Sequence, residues 1–178
     1  MGNFKEDIAK VKAFVFDVDG VFTNGSLTMD GSGELARTYY AKDGYAVSYA
    51  LKMGYKVCII TGGRGVSIDK RFELLGVTKV YAYCKNKVEK LNEFLAEHNL
   101  EAKDILYMGD DIPDLDAMRM VGMPVCPNDA APEIIEASRY VSQYGGGRGC
   151  IRDVVEQVLR AHGNWANSNP DASLSPSA

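Results

Sequence analysis

Histidine, tryptophan and cysteine are all sparse in this sequence, which has two histidines, one tryptophan and four cysteines in 178 residues. Two histidines leave little room for histidine-based catalysis, and His98 and His162 each fall near the end of an expected helix, where imidazole meets the negative end of the dipole. Cys58, Cys84, Cys126 and Cys150 show no paired spacing, which argues against structural zinc. Cys58 lies in the apolar run from Tyr55 to Ile60 and Cys126 follows Pro124-Val125, so both read as small buried hydrophobes. The chain also lacks a basic face. Its net charge is -4, with both signs interspersed, which speaks against a nucleic-acid backbone or an anionic membrane as partner. No run approaches the roughly 20 apolar residues of a membrane span, and Met1 to Lys10 is polar, without an apolar signal core. A cytoplasmic protein is expected.

What the sequence does have is 46% apolar residues, enough for one domain with a real core. Val11 to Phe16, Lys56 to Ile60, Val77 to Ala82 and Ile105 to Met108 are short, nearly continuous apolar runs of the kind that form buried parallel strands. Helical spacing separates them, over Tyr45 to Met53, Ser67 to Leu75, Lys87 to His98 and Leu115 to Met120. Gly54, Gly76 and Gly122 each follow a helical stretch and suit a left-handed helix end. Ser26 to Met29 and Leu35 to Tyr40 flank the turn Asp30-Gly31-Ser32-Gly33, which predicts a β-hairpin. Beyond Gly149, Ile151, Val154, Val155, Val158 and Leu159 mark a last helix. The expected fold is α/β, a Rossmann-like parallel sheet with helices on both faces, an inserted β-hairpin and no cap domain. The domain is expected over residues 1–163, and the Asn-, Ser- and Pro-rich stretch 164–178 as a flexible tail.

Asp17 and Asp19 end the first strand and, two residues apart on an extended chain, face the same side. Thr61-Gly62-Gly63 and Gly109-Asp110-Asp111 follow two other strands, and ligands of open α/β sheets bind beyond the strands' carboxyl ends. Lys87, opening a helix, can reach the same edge. Each piece alone is an ordinary turn, cap or exposed lysine. Four such elements, each just after an apolar run, are hard to obtain by chance.

Phe16-Asp17-Val18-Asp19-Gly20-Val21, Ile60-Thr61-Gly62, Lys87 and Gly109-Asp110-Asp111-Ile112-Pro113-Asp114 resemble the four motifs of the haloacid dehalogenase superfamily. Within it the chain is similar to the 3-deoxy-D-manno-octulosonate 8-phosphate phosphatases of lipopolysaccharide biosynthesis, sharing Asp43-Gly44 and Gly146-Gly147-Arg148-Gly149. The resemblance implies a Mg2+-dependent phosphatase acting on a small phosphorylated sugar acid. Asp17 and Asp110 would bind the metal by their side chains and Asp19 by its carbonyl. Asp17 would be the nucleophile and Asp19 the acid and then base. Thr61, Gly62 and Lys87 would stabilise the phosphoryl group. Asp111 is expected near the metal's outer shell, and Asp114 orienting Lys87 or the loop. Family substrate contacts fall on Asp19, Lys42, Asp43, Gly44, Arg71 and Lys87, with Gly62, Gly63 and Arg64 beside them. Where the family usually has Thr-Gly-Arg, this chain reads Thr61-Gly62-Gly63-Arg64, and Ser48 stands where relatives often have arginine. The resemblance also implies a homotetramer packed through the hairpins, with the tail reaching a neighbour's site.

Three other readings compete. A phosphatase for a nine-carbon sialic-type sugar acid shares the motifs. A phospho-accepting receiver domain uses similar residues but places its lysine last, whereas here Asp110-Asp111 comes last. A silent scaffold is disfavoured because all four motifs keep competent residues.

Overall fold

The computed structural model describes residues 4–166. A short helix α1 (Phe4–Ile8) leads into β1 (Ala13–Phe16), and the hairpin strands β2 (Thr28–Met29) and β3 (Leu35–Ala36) follow. Then come α2 (Ala41–Lys52), β4 (Lys56–Ile60), α3 (Val66–Leu75), β5 (Lys79–Tyr81), α4 (Lys87–His98) and β6 (Ile105–Met108). The chain continues through α5 (Leu115–Met120), β7 (Met123–Cys126), α6 (Pro132–Ala137), β8 (Tyr140–Val141) and α7 (Cys150–Ala161). Six strands form one sheet in the order β5-β4-β1-β6-β7-β8, parallel throughout, and β2 and β3 form a separate antiparallel pair.

Alternation along the strands builds two cores. Phe14, Phe16, Val57, Ile59, Leu106 and Met108 face the helices α2, α3 and α7, whereas Ala13, Val15, Cys58, Ile60, Ile105 and Tyr107 face α4, α5 and α6. Cys58, Cys126 and Cys150 are buried free thiols. In the hairpin, the Asp30 carboxylate accepts from the Ser32 and Glu34 amides at 2.8 and 3.0 Å, which fixes the turn.

The segments missed by periodicity are β7, α6 and β8. β7 carries Pro124 and has four residues, and β8 has two, too few to show a period. Gly122 corrects one expectation. It is not left-handed; a Cβ there would lie 2.1 Å from the Lys103 carbonyl oxygen, so the residue allows two backbones to touch. Gly54 and Gly76 do adopt positive φ after their helices. Trp165, beyond the boundary expected at 163, packs with Tyr49 at a ring distance of 5.0 Å and lies under Arg152. The remainder of the expected tail, 167–178, lies outside the described residues.

Candidate active site

β1 sits mid-sheet with β4 on one side and β6 on the other, so the chain leaves their carboxyl ends in opposite directions and a crevice opens there. Asp17, Thr61 and Asp110 follow these three strands. The Asp17 amide donates to the Met108 carbonyl at 3.1 Å, which fixes the first carboxylate beside the loop that carries Asp110. Lys87, first residue of α4, is buried. Its Nζ stands 3.1 Å from Asp17 Oδ2 and 2.7 Å from Asp114 Oδ1. Asp114 is itself held: the Tyr107 hydroxyl donates to Oδ1 at 2.8 Å and the Asp110 amide to Oδ2 at 3.3 Å. Two glycines make the crowding possible. A Cβ on Gly109 would fall 2.4 Å from Asp114 Cβ, and one on Gly20 would fall 1.8 Å from Asp110 Oδ2.

Oxygens of Asp17, Asp110 and Asp114 lie within 4.8 Å of one another. Three carboxylates against the single Lys87 ammonium leave two negative charges if all ionise, the charge that a divalent cation cancels. Burial first, then the Asp114 carboxylate, push the Asp17 pKa up to about 7 despite Lys87. Burial and the charges of Asp17 and Asp114 push Asp110 up to about 8. Asp17 Oδ1 and Asp110 Oδ1 are buried without a hydrogen-bond partner, and buried oxygens of that kind are costly unless a cation or ligand takes them. The donor set therefore fits a small oxygen-seeking dication.

Asp19 has a partner that the motifs did not reveal. Arg37, just past β3, forks its carboxylate with Nε to Oδ1 at 2.7 Å and Nη2 to Oδ2 at 3.0 Å. No sequence signal marked it, since the alternation of Leu35, Arg37 and Tyr39 with the more exposed Ala36, Thr38 and Tyr40 is one of burial in the fold. Gly63 borders this pair, since a Cβ there would meet Asp19 Oδ2 at 2.8 Å and Arg37 Nη2 at 2.9 Å. The buried Thr61 accepts from the Gly63 amide at 3.0 Å and so shapes the Gly62-Gly63 turn.

The other residues expected at the site lie in different surroundings. The Asp43 carboxylate is buried and accepts from the amides of Gly149 and Arg152 at 3.2 and 2.7 Å, capping α7; burial raises its pKa to about 6. Gly44 abuts Arg71, whose guanidinium lies 5.3 Å from the Tyr39 ring centroid and whose Nε is buried without a partner. Lys42 is exposed and lines a cleft of about 370 Å³ with Arg148 and Arg152. Arg64 stacks on Tyr83 at 5.3 Å, and Asp111 accepts from the Ile112 amide at 2.8 Å.

The profile of the haloacid dehalogenase-like hydrolase family matches residues 76–146. The 3-deoxy-D-manno-octulosonate 8-phosphate phosphatase of Escherichia coli K12 is 33% identical over 153 residues, 86% of this chain and 81% of that protein. The chain belongs to the haloacid dehalogenase-like hydrolases. Among solved structures of this family, the 3-deoxy-D-manno-octulosonate 8-phosphate phosphatase of Yersinia pestis superposes with a TM-score of 0.88 at 31% identity, covering 90% of this chain and 86% of that one. The corresponding enzyme of Moraxella catarrhalis, in complex with magnesium, phosphate and a KDO molecule, superposes with a TM-score of 0.87 at 28% identity, covering 90% and 92%. As a haloacid dehalogenase-like phosphatase the chain is a phosphoric monoester hydrolase. Its six-stranded sheet carries the family motifs on one edge, and between the motif strands β1, β4 and β6 the described chain holds the hairpin, α2, α3, β5, α4 and a 3-10 turn at Ala102–Asp104.

Proposed function

We propose that this chain is a magnesium-dependent phosphomonoesterase of the cytoplasm that releases phosphate from 3-deoxy-D-manno-octulosonate 8-phosphate through a phospho-aspartate at Asp17. The observation that carries the reading is the pair of orphaned oxygens, Asp17 Oδ1 and Asp110 Oδ1, in a site whose only ammonium is already tied to Asp17 and Asp114. The side chains of Asp17 and Asp110 and the carbonyl of Asp19 would hold the magnesium, which offsets the charge that keeps one anion from approaching another. Asp17 attacks phosphorus with one carboxylate oxygen, a P–O bond forms, and the bond to the sugar oxygen breaks. Asp19 gives the leaving oxygen its proton, then takes a proton from the water that cleaves the acyl phosphate, restoring Asp17 and releasing phosphate. The Gly62 amide, the Thr61 hydroxyl and Lys87 face the phosphoryl oxygens and stabilise the charge that develops there. Asp114 and Tyr107 keep Lys87 directed at Asp17.

The phosphatases named above and the KDO molecule bound in the Moraxella enzyme support this choice of substrate. Initial rates on the eight-carbon acid phosphate and on nine-carbon sialic-type phosphates, with and without magnesium, test it. The eight-carbon compound should show the higher kcat/KM, with no turnover in chelator; a preference for the nine-carbon compounds would transfer the assignment to them. Asp17→Asn should abolish turnover in a folded protein, and near wild-type activity in that variant would rule the phospho-aspartate out.

A further inference from the structure

Arg37 has no place in the chemistry just described, yet its guanidinium is engaged at Nε, Nη1 and Nη2. Nε and Nη2 fork both oxygens of Asp19, while Nη1 reaches the carbonyls of Leu35 and Arg64, each at 3.2 Å, and Ser67 Oγ at 3.1 Å. Its side chain is 1% exposed, against 26% for Asp19, so the arginine is packed behind a carboxylate that still faces the crevice. Those partners come from three places: the loop after β1, the hairpin, and the turn into α3. Ser67 Oγ in turn donates to the Leu35 carbonyl at 3.0 Å, the Val66 amide donates to Glu34, and the Tyr39 hydroxyl donates to the Ser67 carbonyl at 3.3 Å, so the chain is tied to α3 on both sides of Arg37.

A carboxylate on a loop can rotate about two torsions, whereas a general acid must present one oxygen to the leaving group within hydrogen-bond reach. A bidentate arginine fixes the carboxylate plane and occupies one lone pair of each oxygen, leaving the second pair of each for a proton. Gly63 has no side chain where Asp19 and Arg37 meet, so the fork can form against the turn shaped by Thr61. We propose that Arg37 is the positioning residue for Asp19, fixing the orientation from which that carboxylate serves the leaving oxygen, and that the hairpin's seat on α3 sets it.

The inference rests on the reading of Asp19 as the acid, and the experiment separates the two. Arg37→Met, Arg37→Lys, Asp19→Asn and the double variant Asp19→Asn/Arg37→Met are assayed on the sugar-acid phosphate and on p-nitrophenyl phosphate, whose leaving group needs no proton. Arg37→Met should lower kcat on the sugar-acid phosphate by about 10- to 100-fold and on the aryl phosphate by less than about threefold, with KM little changed. The double variant should be no slower than Asp19→Asn, because an orienting residue acts only through the group it orients. Arg37→Lys keeps the charge without the planar fork, so it should stay folded by thermal melting and show the same selectivity. Equal losses on both substrates, additive losses in the double variant, a fully active Arg37→Lys or a rise confined to KM would each overturn the positioning role. If Asp19→Asn alone shows no dependence on the leaving group, the acid assignment itself fails, and this inference with it.

Discussion

A lysine that opens a helix is ordinarily solvated, but Lys87 lies between Asp17 and Asp114 at 6% exposure, and its meaning depends on those two anions. Removing one partner of a buried pair leaves an uncompensated charge, so Asp114→Ala should lower stability by about 3 kcal/mol in urea unfolding and reduce turnover by loosening Lys87. An unchanged midpoint and rate would show that Lys87 needs no anchor. Asp110 supplies a pH test. Its folded pKa of about 8 exceeds the ordinary 3.8, so the metal-free fold takes up a proton; that contribution is full below pH 3.8 and lost as pH rises through about 8. In chelator, Asp110→Asn should melt close to wild type at about pH 5 and above it at about pH 9, because the amide cannot ionise. Magnesium should stabilise the wild type more at the higher pH, where its ligands are deprotonated. Melting differences that do not grow with pH would contradict the raised pKa.

Among the elements, the loop after β1 and the helix pair α2 and α7 carry the sharpest tests. Gly20 has φ of +87° and no room for a Cβ beside Asp110. Gly20→Ala should therefore push the Asp110 carboxylate aside and weaken magnesium activation, seen as a higher metal concentration for half-maximal rate. The Asp43 carboxylate joins α2 to the start of α7 by accepting from Gly149 and Arg152 amides. Asp43→Ala leaves those buried donors unpaired and should cost about 1–3 kcal/mol by chemical denaturation, a loss that Asn should partly restore. The hairpin is short, two residues per strand, and it is held to α3 through Arg37, Glu34 and Ser67, with no ladder shared with the six-stranded sheet.

At the scale of the whole molecule, no helix among the described residues is long and apolar enough to cross a membrane. The hairpin region exposes Leu27 at 45% and Met29 at 68%, apolar side chains that a second copy of the chain would cover. We propose a homotetramer formed through the hairpins, because no cap covers the crevice among the described residues to exclude water from it. Light scattering at micromolar concentration should report four subunits, and Leu27→Glu with Met29→Glu should release smaller species; a monomeric wild type would defeat this assembly. Truncation after Gly163 would remove Trp165, which packs on Tyr49, so its effect on kinetics must be read beside its effect on melting temperature.

The sequence by itself determined the strands β1, β4, β5 and β6, the α4 boundaries at Lys87 and His98, and the placement of Asp17, Thr61 and Asp110 beyond three strand ends. Those features are local: apolar runs, helical spacing and residues two apart on a strand express themselves within a few positions. β7 and β8 were illegible because four and two residues hold no period, and Gly122 because its reason is a distant carbonyl. Only the tertiary structure decided that Asp43 caps α7, 106 residues away in sequence from Gly149, and that Arg37 grips Asp19 across 18 residues. Both depend on burial, which makes a charged group seek a partner wherever the fold provides one, and sequence spacing carries no record of that distance.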